Sequence, residues 1–166
     1  METEPVSEES KQSVYVETTI VSYLTARPSR DLVLAAHQQI TQEWWATRRN
    51  NFDLYVSRAV IQEVGIGEAE MAERRLKAIE TCPRLDVHSE AEDLAELLVK
   101  SGTLPQKAAM DALHIATATV HKMDYLMTWN CKHIANAEIY RKVANICRAK
   151  GYEPPIICTP EELQGK

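Results

Sequence analysis

Between Ala108 and Val120 the chain reads AAMDALHIATATV, and Asp111 is its only formally charged residue. A stretch so apolar and so rich in alanine is expected to form a helix packed into a core. A carboxylate in those surroundings loses its water shell, which is costly unless a cation or several donors replace it. The helix is expected to turn at His121-Lys122 into a short strand, Tyr125 to Thr128, so that Asn130 stands at the strand's C-terminal end. In parallel α/β sheets that end is where ligands bind. One acid and one amide are thus expected to converge on a single spot.

The rest of the chain alternates strand and helix signals. Ser13 to Val16 is a short β-rich run that delivers Glu17 to its tip as a first, central strand, and Thr18 and Thr19 suit the cap of a short helix from Ile20 to Thr25. Asp31 opens a long helix in which Leu32, Leu34, Ala35, Ile40, Trp44 and Trp45 recur at helical spacing. Phe52 to Val56 is a second strand, followed by Ser57 as cap of a helix from Arg58 to Val64 that Gly65 ends. A charged amphipathic helix runs from Glu68 to Glu80, Arg84 to Val87 suits a short strand, and Ser89 suits the cap of a helix to Lys100. After the Asp111 helix and its strand come a helix from Ala135 to Ala149, a last strand from Ile156 to Cys158, and a helical turn opening at Thr159. This order predicts an α/β fold: a three-layer α/β/α sandwich with a mainly parallel sheet.

Composition bounds the function classes. The 166 residues suit one domain, residues 13–166, preceded by an acidic tail, residues 1–12, expected to be disordered. No run of about 18 apolar residues marks a membrane helix, and the N-terminus lacks the pattern of a signal peptide, so a cytoplasmic location is expected. Cys82, Cys131, Cys147 and Cys158 show no CxxC spacing, which argues for free buried thiols rather than a zinc site or a disulfide framework. The net charge is −5, of which −3 lies in the tail, so global charge decides little about a nucleic-acid partner.

Three acids and one amide stand at suggestive places: Glu17 after the first strand, Glu63 on the helix after the second, Asp111 within its apolar helix, and Asn130 after the next strand. Hard oxygen ligands converging on a sheet's C-terminal edge are what Mg²⁺ or Mn²⁺ requires. Each residue also has a plainer explanation. Glu17 could accept backbone N–H bonds at a strand end, and Asn130 could serve a turn. Glu63 could be a solvated helix residue; in the last helical turn it needs a cation or water to offset the macrodipole. Asp111 could pair with an Arg or Lys. His114, one turn beyond Asp111, suits a satisfied core histidine, and Trp44 and Trp45 suit core packing. Arg27, Arg30, Lys107, Lys132 and His133 could line a groove for a phosphate backbone.

The segments VYVETTIVSYL, SRAVIQEVGIG, DALHIATATV and YLMTWNCKHIAN, in this order and spacing, resemble a PIN domain, and most nearly the VapC-like toxin ribonucleases of type II toxin–antitoxin systems. The resemblance covers about residues 14–158. It implies an α/β/α sandwich, Mg²⁺ or Mn²⁺ held by Glu17, Glu63, Asp111 and Asn130, and endonucleolytic cleavage of RNA. It also implies a homodimer restrained by an antitoxin protein. The chain departs from the family pattern in carrying Glu17 where Asp is usual, Asn130 where Asp is frequent, and Thr19 where Asn is common. Those departures keep a second expectation open: a non-catalytic PIN-like module that binds RNA or protein through a decayed metal site.

Overall fold

A computed structural model describes residues 10–165; most of the acidic tail expected to be disordered, residues 1–9, lies outside them. Five strands, β1 (Ser13–Val16), β2 (Asp53–Ser57), β3 (Arg84–Leu85), β4 (Tyr125–Met127) and β5 (Ile156–Cys158), form one sheet in the order β3-β2-β1-β4-β5. Every pairing is parallel. Parallel strands need crossovers, and seven helices among the described residues supply them: α1 (Thr18–Thr25), α2 (Leu32–Thr47), α3 (Arg58–Val64), α4 (Ala69–Ala78), α5 (Ser89–Lys100), α6 (Ala109–Val120) and α7 (Ala137–Ala149). The chain walks β1-β2-β3 one way from the centre and then β4-β5 the other. Right-handed crossovers therefore place α1 to α4 on one face and α5 to α7 on the other. The packing agrees: α1 lies against α2, α3 and α4, and α5 against α6 and α7.

With both faces covered, the strands are buried throughout their centre, and Val14, Tyr15, Val16, Val56, Leu126 and Met127 are all fully inaccessible. Helix α6 meets the same core through Ala112, Ile115, Ala116 and Ala118. Its small residues let it lie close to α5, and its burial on most sides explains the run of apolar residues. The helix ends at His121, and Lys122 adopts a positive φ of 57° that turns the chain towards β4. Trp44 and Trp45 pack into the core as expected, with Trp44 donating its indole N–H to the Leu163 carbonyl at 3.1 Å.

Several local expectations need correction. Thr18 and Thr19 do not cap α1: Glu17 does, its carboxylate accepting the Thr19 N–H. Ser89 is the first residue of α5 rather than its cap, and the capping position falls to His88 with no side-chain bond. The third strand is two residues long because it pairs only with the end of β2, Val56 and Ser57. Of the four thiols, Cys131 is exposed, while Cys82, Cys147 and Cys158 are buried and free. No helix of the described residues is long and apolar enough to cross a membrane.

Candidate active site

Strand order reverses between β1 and β4, and the C-terminal ends of these two strands carry Glu17 and Thr128. The register pairs Val16 with Met127, so the next residues, Glu17 and Thr128, stand side by side. Glu17 is only 3% exposed, and its carboxylate is held by three donors rather than a cation. It accepts the Thr19 N–H at 3.0 Å, the Thr19 hydroxyl at 2.6 Å and the Thr128 hydroxyl at 2.5 Å. Its place at the N-terminus of α1 adds the favourable field of the helix. The plainer account of Glu17, a strand-end carboxylate receiving backbone N–H bonds, describes one of these donors; the other two are threonine hydroxyls.

Glu63 lies in the last turn of α3, where the helix field disfavours an anion. Its compensation comes from two sides: Oε1 accepts the Thr18 hydroxyl at 2.6 Å and a short hydrogen bond from His114 Nε2. Burial pushes this carboxyl up, but the hydrogen bonds from His114 and the Thr18 hydroxyl outweigh it. Glu63 therefore titrates below the ordinary carboxylate range. His114 is fully buried, as a core histidine should be, and its other ring nitrogen meets the Tyr15 hydroxyl at 2.6 Å. Tyr15 in turn lies 2.7 Å from the Ser57 hydroxyl, and Ser57 caps α3 by accepting the Val60 N–H.

Asp111 is not the fully buried acid the sequence suggests. It occupies the first turn of α6, where its side chain keeps 22% exposure, and its partner is neither Arg nor Lys. Oδ2 lies 3.1 Å from His133 Nδ1. Asn130 reaches the same residue, its side-chain Oδ1 accepting the His133 N–H at 3.0 Å. The Asn130 N–H donates to Thr128 Oγ1 at 2.9 Å, and its carbonyl accepts from Ile134 and Ala135. The acid and the amide thus do converge, on His133, and Asn130 organises the turn after β4. The amide NH₂ of Asn130 carries no protein hydrogen bond among the described residues.

The four predicted site residues fall into one connected neighbourhood at the sheet's C-terminal edge but not into a single ligand cluster. Among the described residues no three Asp, Glu, His or Cys side chains are arranged around one metal position. Two carboxylate oxygens stay open: Glu63 Oε2 and Asp111 Oδ1 have no hydrogen-bond partner, yet neither is a buried orphan, so both reach solvent. Asp111 lies one helical turn before His114, whose ring holds Glu63, so both acids border the same stretch of α6. Thr18, Thr19, Tyr15, His133 and Thr128 complete the network. Of these, His133 was visible in the sequence only as a basic residue, and Tyr15 only as a strand residue. Arg27, Arg30, Lys107 and Lys132 are all exposed.

No protein-family model matches the sequence, and no curated protein matches it. Solved structures do share its fold. A chain of VapBC2 from Rickettsia felis, solved as a complex bound to a DNA fragment from their promoter, superposes with a TM-score of 0.56 at 15% identity, over 89% of this chain and 98% of that one. A chain of a toxin–antitoxin complex from Klebsiella pneumoniae gives a TM-score of 0.53 at 19% identity, over 76% of this chain and 93% of the other. The chain has the PIN-like α/β/α fold found in these two chains.

Proposed function

We propose that the chain is a metal-dependent endoribonuclease that hydrolyses RNA phosphodiester bonds, and that it is the toxin of a toxin–antitoxin pair. The observation that carries this reading is the pair of solvent-open carboxylate oxygens on Glu63 and Asp111, at the edge of the sheet where the strand order reverses. Two carboxylates with open oxygens are a sufficient protein share of a Mg²⁺ site, because that ion keeps several waters and takes further oxygens from a substrate phosphate. The donor set therefore fits Mg²⁺ or Mn²⁺ at Glu63 and Asp111. Glu17 fits less well as a direct ligand, since three donors already occupy its oxygens.

The bound ion would lower the pKa of a water nucleophile and offset charge on the departing oxygen. The chain's own residues have separate tasks. Glu63 and Asp111 hold the ion's protein side, and His114 and His133 set their orientations. Glu17 ties the ends of β1 and β4 together, which fixes the turn carrying Asn130. The free amide NH₂ of Asn130 can donate to a phosphate oxygen. Exposed Arg27, Arg30, Lys107 and Lys132 can contact the RNA backbone. An antitoxin partner, a homodimer and a cytoplasmic location belong to the same proposal, the first supported by the toxin–antitoxin complexes among the fold neighbours.

The test is cleavage of single-stranded RNA with Mg²⁺ or Mn²⁺ and with EDTA. Wild type should cleave only with metal, and Asp111→Asn and Glu63→Gln should each lose about 100-fold or more, the several kcal/mol that metal-assisted charge stabilisation supplies. Full cleavage by Asp111→Asn would sink the assignment. A second reading, a non-catalytic PIN-like module, is favoured by one observation: the longer Glu17 is engaged by two hydroxyl donors and one backbone N–H instead of standing free for a metal. Cleavage that appears only in Glu17→Asp would establish that reading in place of the first.

A further inference from the structure

A row of four side chains runs outward from the buried cap of α3 to the acidic site: Ser57, Tyr15, His114 and Glu63. Hydrogen-bond bookkeeping gives this row a direction. Ser57 and His114 are fully buried, and Ser57 Oγ accepts the Val60 N–H at 3.3 Å. Its own hydrogen then has one available acceptor, the Tyr15 oxygen at 2.7 Å. Tyr15 has no solvent exposure, and burial holds its phenol far above the ordinary range, so it keeps its proton. That proton has only the His114 Nδ1 lone pair to meet, at 2.6 Å. Nδ1 must therefore be bare, and the ring hydrogen must lie on Nε2, where it donates to Glu63 Oε1. The opposite direction fails. A hydrogen on Nδ1 would push the tyrosine proton to Ser57 and leave the serine proton orphaned in the core, a desolvated donor without an acceptor. Among the described residues the only buried side-chain oxygen or nitrogen without a partner is Thr117 Oγ1, so every heavy atom of the row has a partner, and only the first direction also gives every hydrogen an acceptor.

We propose that Tyr15, by donating to His114 Nδ1, holds the ring with its Nε2–H towards the site, and that Tyr15 is thereby a positioning residue that fixes Glu63 with Oε1 engaged and Oε2 open to a divalent cation. The ligand role of Glu63 within this statement rests on the nuclease reading above. The arrangement follows the general pattern in which the group behind a histidine sets its tautomer. Here the histidine is not itself the ligand. It orients the carboxylate, and the donor that sets it sits one strand away on β1 and reaches no substrate.

The tautomer is read directly, without metal, from long-range ¹⁵N–¹H correlations of the His114 ring. Wild type should show a bare Nδ1 and a protonated Nε2, and a protonated Nδ1 would overturn the relay. Tyr15→Phe should move the Nδ1 resonance to that of a nitrogen accepting no hydrogen bond, whereas Ser57→Ala, which still leaves Tyr15 free to donate, should leave it in place. Should Tyr15→Phe fail to fold, the wild-type and Ser57→Ala spectra still decide the relay. Mn²⁺ affinity, measured by calorimetry, should fall about 10- to 100-fold in Tyr15→Phe, the usual effect of removing a group behind a metal ligand. Unchanged affinity in that variant would overturn the positioning role. A wild type that binds no Mn²⁺ would defeat the ligand reading of Glu63, while the tautomer spectra would still decide the relay.

Discussion

Thr128 donates its hydroxyl hydrogen to Glu17 across the gap between β4 and β1, at 2.5 Å and 111 residues apart in sequence. The same Thr128 oxygen accepts the Asn130 N–H, so one hydroxyl couples the buried acid to the turn that holds His133 and, through it, Asp111. Thr128→Val keeps the shape and removes both bonds. Glu17 would retain only its two Thr19 donors, and a buried hydrogen bond to a charged group is worth about 1.5–3 kcal/mol. The expected loss of about 2 kcal/mol should lower the urea midpoint at unchanged slope. A variant as stable as wild type would show that the contact carries no net energy.

The depressed titration of Glu63 has a sign that can be checked. A carboxyl with a lower value in the folded state than in the unfolded state contributes stability above the ordinary carboxylate value of 4.5, and that contribution disappears as the pH falls through the folded-state value. In EDTA, wild type should therefore lose stability more steeply than Glu63→Gln as the pH is lowered from about 6 through the carboxylate range. Parallel stability curves for the two proteins would contradict the assignment of His114 and Thr18 as partners of an ionised Glu63.

What the sequence made legible is what short-range chemistry encodes. Asp31 caps α2 through the Leu34 N–H, Ser57 caps α3, and the Thr159 and Glu162 pair forms a capping box, all within three residues of one another. The central place of β1 and the apolar burial of α6 likewise follow from patterns inside single segments. The partners of the acids do not. Glu17 meets Thr128 and Tyr15 meets His114 only because parallel register sets Val16 beside Met127 and because α6 crosses beneath the sheet edge. Hydroxyl donors are the least legible of all, since Thr18, Thr19 and Thr128 read equally well as caps or strand residues. Beside the metal, the sequence suggested backbone N–H donors for Glu17, a cation or water for Glu63 and an Arg or Lys for Asp111; the fold supplied chiefly threonines to Glu17, and to Glu63 and Asp111 a histidine each.

Trp129 tests how firmly the site's floor is held. Its backbone N–H donates to Thr19 Oγ1 at 2.8 Å, its indole N–H donates to Thr41 Oγ1 at 2.7 Å, and its ring stacks on His37 at 4.0 Å. Thr41 is 1% exposed, so Trp129→Phe leaves its hydroxyl oxygen without a donor while the stack can persist. The expected loss is about 1–3 kcal/mol. Thr41→Val in the same background should add only the loss of the Thr41 hydroxyl's own bond to the His37 carbonyl, at 2.6 Å, because the bond to Trp129 is already gone; fully additive losses would mean that the two side chains act independently.

The metal itself is tested most directly through stability, since any ion that binds the folded chain and not the unfolded one raises its melting temperature. At a concentration about 100 times the dissociation constant the gain is about 2.7 kcal/mol, or very roughly 5–10 °C for a chain of this size. Wild type should gain this with Mn²⁺, and Asp111→Asn should not. Removing Asp111 also deprives His133 of its carboxylate partner, which shifts the metal-free baseline, so the comparison lies in the difference with and without Mn²⁺ for each protein. His133→Gln separates the two effects: it disturbs the orientation of Asp111 and keeps its charge. That variant should bind Mn²⁺ more weakly by about 10- to 100-fold rather than not at all. Equal stabilisation of wild type and Asp111→Asn would mean that Mn²⁺ binds elsewhere, and that Asp111 serves the fold alone.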